Sequence, residues 1–202
     1  MTVGPHAGTS LSVKIWRVQC FSICVAVAAA QAAELSVGEY CRCTLTDIAQ
    51  RTLSTADGRV SVITTVTRAK QHDAVIVGNR VPQHYYGDPA LRFVTMVNLQ
   101  NFSGALRGMT SAFVRRRFDL EIQRLQPIYR SMGRNRDPRE DLFIVPDFDG
   151  RAMSQLGISG GATKTNVFVL TGDGRVVAHW SKLPPAEDLL AALESARGQE
   201  TQ

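Results

Sequence analysis

The stretch "DGRVSVITTVTRAKQHD", residues 57–73, decides the fold. Asp57-Gly58 is a turn pair, and Arg59–Thr67 is a run dominated by Val, Ile and Thr. β-Branched side chains suit the pleated strand, and an apolar run bounded by a turn signal reads as a buried strand over 59–67. The chain then turns polar at Thr67–Asp73, which carries Lys70 and His72.

Working outward, "RFVTMVNL" (92–99) and "LFIVPD" (142–147) read as two further strands. Between them, residues 104–133 read as one long helix. Phe118, Ile122, Leu125, Tyr129 and Met132 recur at helical spacing, and the apolar stripe is extended back through Leu106, Met109 and Phe113 as core. Pro127 is a potential kink. "GRAMSQLGI" (150–158) reads as a short helix. "TNVFVL" (165–170) and "RVVAHW" (175–180) read as a hairpin closed by the Asp-Gly of "TGDG". "PPAEDLLAALESARG" opens with prolines, places Glu187 and Asp188 in its first turn and ends at Gly198, which predicts a final helix over 185–197. The pattern predicts an α/β fold, a mixed β-sheet sandwiched by helices with an N-terminal strand extension.

The first 32 residues read differently. Lys14 and Arg17 precede the apolar run Val18–Ala30, and small residues follow at Ala30 and Ala32. A basic flank, a short apolar core and an A-x-A exit form a secretory signal. The run falls short of the roughly 20 residues a bilayer span needs. The expected organisation is a signal peptide over 1–32, one domain over 33–198 and a flexible tail over 199–202. Cleavage would lower the formal net charge from +5 to +3 and remove Cys20 and Cys24. A periplasmic or secreted location follows, with no stable membrane span after cleavage. A mild positive charge does not by itself imply a nucleic-acid partner. Arg115-Arg116-Arg117 reads as a solvated helix face. His72, His84 and His179 lack zinc-ligand spacing with the remaining cysteines, so neither metal nor cofactor is expected.

Three stretches together resemble the thioredoxin-like superfamily in its redoxin and peroxiredoxin form. They are "VGEYCRCTLTDIAQRTLSTADGRVSVITTV" (37–66), "FIVPDFDGRAMSQLGI" (143–158) and "NVFVLTGDGRVVAHW" (166–180). Within it the chain is most similar to the exported YtfJ-like proteins. The resemblance implies a catalytic cysteine just after the central strand, where a helix N-terminus favours the thiolate. "TRAKQHD" has no cysteine there. The following "AVIVGNRVPQHYYG", with β-branched residues, Gly78 and Pro82, reads as a poor helix. Where the superfamily places a cis-proline before the closing hairpin, this chain has Thr165. Lys70, His72 and Thr165 are therefore the candidate cleft. Tyr85-Tyr86 either line a binding surface or pack over the sheet edge.

Cys41 and Cys43 are the candidate redox pair. In a strand they would face one side with Cα atoms about 6.6 Å apart, the outer limit for a disulfide. They read either as a strained, reducible disulfide or as two small, partly buried side chains. Arg42 would point to the opposite face. Two functions follow: an exported scaffold without thiol catalysis that binds an envelope protein or a small ligand, or a thiol–disulfide oxidoreductase using Cys41 and Cys43. No helix-turn-helix with a basic recognition face is present, which argues against DNA binding.

Overall fold

The computed structural model describes Met1 and residues 34–100, 102, 104–159 and 163–199. The expected signal peptide, apart from Met1, and the tail beyond Gln199 lie outside the described residues. Seven strands are present among the described residues. β1 (Thr44–Thr46) and β2 (Thr52–Ser54) form a small antiparallel hairpin. β3 (Val60–Thr67), β4 (Leu91–Asn98), β5 (Leu142–Asp147), β6 (Asn166–Leu170) and β7 (Val176–Trp180) form one sheet in the order β5-β4-β3-β6-β7. β3 pairs in parallel with β4, and β4 with β5, whereas β6 runs antiparallel to both β3 and β7. The strands match the five expected ones to within a residue or so at each end.

β3 is central and buried along all but its last residue. That explains its composition, since a strand covered on both faces needs apolar or self-satisfied side chains on both. Val62, Thr64 and Val66 share a face with Phe93, Thr95 and Val97 of β4. Helices α1 (Gln71–Arg80), α2 (Arg107–Ser131) and α4 (Ala186–Gly198) pack on that face. The other face, with Ile63, Val94, Met96 and Phe168, is covered by the β1–β2 hairpin and the one-turn helix α3 (Arg151–Ser154). No helix among the described residues is long and apolar enough to cross a membrane.

Two readings of the helices need correction. α1 is a regular helix, with Val77 buried against the sheet and Val81, just past its end, buried beside it. Its β-branched residues and Gly78 disfavour a helix by only about 0.5–1 kcal/mol each, which burial of an apolar face outweighs. Pro82 ends it, and the preceding Val81 is extended. In α2 the buried stripe is Val114, Phe118, Ile122, Leu125 and Tyr129. Leu106 belongs to the preceding 3-10 turn (Gly104–Leu106), and with Met109 and Phe113 it is exposed. Phe113 lies five residues before Phe118, which turns it ~140° away around the helix. Pro127 sits on the exposed surface of α2, and the helix runs through it to Ser131.

On β7, His179 stacks on Phe168 of β6, with ring centroids 4.1 Å apart and planes within 3°. Burial holds its pKa below the ordinary 6.5, opposed by the Glu34 carboxylate 3.3 Å away. The unfolded chain therefore takes up a proton at higher pH than the folded one. The contribution of neutral His179 is complete above pH 6.5 and is lost as pH falls through the lowered folded value. The difference in urea midpoint between wild type and His179→Gln is expected to shrink between about pH 8 and about pH 5. A constant difference across that window would refute this.

Candidate functional site

The end of β3 leads through a 3-10 turn, Arg68–Lys70, into α1. Lys70 and His72 are both exposed. Thr165, immediately before β6, is 4% exposed, and its hydroxyl donates to the Asp73 carboxylate at 2.5 Å. Of the three candidate cleft residues, the structure thus ties Thr165 to the start of α1 through Asp73, a partner the sequence did not single out. The signal was weak, an acidic residue in a helix first turn, where carboxylates are common for reasons of the helix dipole alone. No cis peptide bond occurs among the described residues. A neutral hydroxyl closing on a carboxylate positions the loop, and it provides no nucleophile for disulfide exchange.

Beside this joint, between the sheet and helices α1 and α2, lies a cavity of about 480 Å³. His72, Gln71 and Arg117 contribute to it along with an apolar wall. Tyr86 lines its far part, and its hydroxyl donates to the Gly78 carbonyl at 2.7 Å. Tyr85 and Tyr86 are both buried, the former packed with Leu91 and α4 and the latter with Leu125 and Tyr129. His84 is exposed and tilts against Tyr85.

Cys41 and Cys43 lie on the other face of the sheet and at its other end. The Cys41 amide donates to the Gly174 carbonyl at 2.8 Å, in the turn joining β6 to β7. The length of β6 therefore separates the cysteines from Thr165. Both side chains point into the core, 4% and 8% exposed, as free thiols with sulfurs 3.2 Å apart. The two residues precede β1 and lie in no strand, and their thiols converge. Thr55 organises the pair. Its hydroxyl accepts from the Cys43 amide at 2.9 Å and donates to the Cys41 carbonyl.

The thiol of Cys41 stabilises a Cys43 thiolate. Against the desolvation of burial, and with help from the Thr55 hydroxyl and the Arg92 charge, this lowers the Cys43 pKa from 9.0 to about 7. Cys41 is pushed upward, because its proton is shared with Cys43 and its surroundings are apolar. Arg42 is exposed, over the Tyr40 ring. The cation that acts on the pair is Arg92, 49 residues on from Cys43 in a different strand, which no local reading of the chain could have found.

No family model and no curated protein matches the chain. Solved structures do. A candidate electron transfer protein from Aquifex aeolicus shares 14% identity over 81% of this chain and 95% of its own, with a TM-score of 0.51. A candidate electron transport protein from the same organism shares 13% over 81% and 99%, with a TM-score of 0.50. The exposed lipoprotein thioredoxin of Streptococcus pneumoniae shares 9% over 76% and 98%, with a TM-score of 0.48. At these identities likeness speaks to architecture and not to chemistry. The strand order β5-β4-β3-β6-β7, with its single antiparallel switch at β6, makes this chain a thioredoxin-like α/β protein in fold.

Proposed function

We propose that the chain is an exported binding protein of YtfJ-like type, in which the thioredoxin fold serves as a scaffold without conventional thiol catalysis. One observation carries this reading. At the end of the central strand, where a redoxin would present its reactive thiol, Asp73 is held by Thr165. The ligand or partner is sought in the cell envelope, on the strength of the basic flank, apolar core and A-x-A exit of residues 14–32.

A second reading is favoured by the convergence of the two thiols and the lowered pKa of Cys43. In that reading the Cys43 thiolate attacks a substrate disulfide and releases one substrate thiolate. Cys41, losing its proton, then attacks the mixed disulfide and releases the second, leaving Cys41–Cys43 oxidised. Burial of both sulfurs opposes it, because a protein disulfide must reach the attacking atom in line.

A disulfide-reduction assay separates the two. With insulin as substrate and dithiothreitol as reductant, wild type and the Cys41→Ser/Cys43→Ser variant are expected to run equally at the uncatalysed rate. Turnover by the wild type that disappears in the double variant, with the variant folded by circular dichroism, would establish the enzyme and remove the scaffold.

A further inference from the structure

The scaffold reading leaves open what is bound, and the following inference rests on it. We propose that the cavity between α1 and α2 takes a single unbranched acyl chain, with its carboxylate at the Gln71–Arg117 end. Three features converge on this class of ligand.

The first is shape. The lining runs along α2 from Val114 to Leu125. At a rise of 1.5 Å per residue that is about 16 Å, roughly the length of an extended chain of a dozen carbons. The volume of about 480 Å³ lies within the range of small-molecule sites, about 300–1,000 Å³.

The second is the wall. Phe93, Leu142 and Ile144 from the sheet and Ala74 and Val75 from α1, all half-buried, supply its accessible surface, backed by the buried Val77, Phe118 and Leu125. These side chains offer water no hydrogen bonds, while interiors elsewhere pack to a density of about 0.75. Methylene groups against such a wall gain dispersion contacts and shed hydration, about 0.8 kcal/mol per CH₂. A peptide backbone would bring amides that such a wall does not satisfy.

The third is the polarity of one end. The side-chain amide nitrogen of Gln71 is buried with no hydrogen-bond partner. Arg117 forms no ion pair among the described residues, and its guanidinium lies over the Phe113 ring at 5.2 Å. The two carboxylates nearby are engaged: Glu121 pairs with Arg124 at 2.6 Å, and Asp73 accepts from Thr165. The unused capacity at this end is therefore an amide donor and a cation, which suit a carboxylate. It also adjoins the start of α1, so the ligand would sit beside the position where the superfamily carries out its chemistry.

The test uses the purified full chain and cis-parinaric acid, a fluorescent polyene fatty acid, as probe. Saturable one-to-one binding is expected, with competition by lauric acid. Arg117→Glu, on an exposed position, is expected to weaken the acid at least about 10-fold while leaving the chain-matched alcohol within about 2-fold. Gly78→Leu is the blocking variant. A Cβ there meets nothing closer than the Tyr86 hydroxyl at 4.0 Å, and leucine is the better helix former. It is expected to abolish binding of both probes, with circular dichroism confirming that the variant keeps its fold. Absence of saturable binding to the wild type, or undiminished binding by Gly78→Leu, would overturn the site. Equal loss of acid and alcohol in Arg117→Glu would overturn the carboxylate assignment. Insulin turnover reads the Cys41–Cys43 pair alone, so failure of the acyl site and failure of the scaffold reading are separately visible.

Discussion

Replacing Gly174 with alanine is expected to lower the unfolding free energy by about 3–5 kcal/mol. Gly174 closes the turn between β6 and β7 at φ +87°, a left-handed conformation that costs a non-glycine residue about 1–2 kcal/mol. The larger part is steric. A Cβ built there would stand 2.5 Å from the Cys41 carbonyl oxygen and 3.2 Å from that of Thr55. Both are backbone atoms and cannot rotate aside. The chain before β1 would have to move, and with it the bond from the Cys41 amide to the Gly174 carbonyl. Gly58 is the control. It has φ +88° with nothing within 4 Å of a Cβ, so Gly58→Ala should show the conformational part alone, about 1 kcal/mol. Urea denaturation of both variants checks the difference. Amide exchange at Cys41 and Val176 should quicken in Gly174→Ala only. Equal losses from the two variants would show that the close approach carries no energy.

Asp57→Ala is expected to destabilise by about 3 kcal/mol, although the carboxylate is 37% exposed. Its partner Arg92 is 1% exposed, and the two meet at 2.7 Å. The remaining partners of that guanidinium are neutral: the Ser61 hydroxyl at 2.8 Å and the Ser54 carbonyl. Removing Asp57 leaves a buried cation without a counter-charge, the costly half of breaking such a pair. The double variant Asp57→Ala/Arg92→Met should recover most of the loss, since an apolar side chain of similar length suits the site. Asp119→Ala is the contrast. Its pair with Arg139 is about equally exposed on both sides, and its removal should change stability by less than about 0.5 kcal/mol. A loss from Asp57→Ala no greater than that from Asp119→Ala would show that Arg92 is solvated in some other way.

These two positions show where legibility ended. Asp57-Gly58 and Asp173-Gly174 both read as turns: Asp173-Gly174 lies in a turn closed from Gly174 to Thr171, and Asp57-Gly58 forms a bend just after a turn at Thr55-Ala56. Local chemistry suffices there, because a turn is specified by the φ its residues tolerate. That Asp57 also neutralises Arg92, and that Gly174 lies under the Cys41 carbonyl, depends on segments far away in sequence. The same limit governs the helices. The stripe Phe118–Tyr129 was legible because its spacing repeats. Its extension through Met109 and Phe113 fails because apolar character alone does not say which side of the helix meets the sheet. α1 is the converse case: its propensities are poor, and nothing in the chain shows its burial against β3.

By itself the sequence determined the five strands of the main sheet, the closing hairpin, the final helix and the absence of a cysteine between Thr67 and Asp73. Each depends on interactions within a turn or two, or on the identity of a residue. Only the tertiary structure decided that Thr165 meets Asp73 across 92 residues. Only it turned Cys41 and Cys43 inward together under Thr55 and Arg92, and opened an apolar cavity between α1 and α2. Packing directions and long-range charge pairing arise when the sheet brings distant segments within a few ångströms, and no periodicity in the chain encodes that distance.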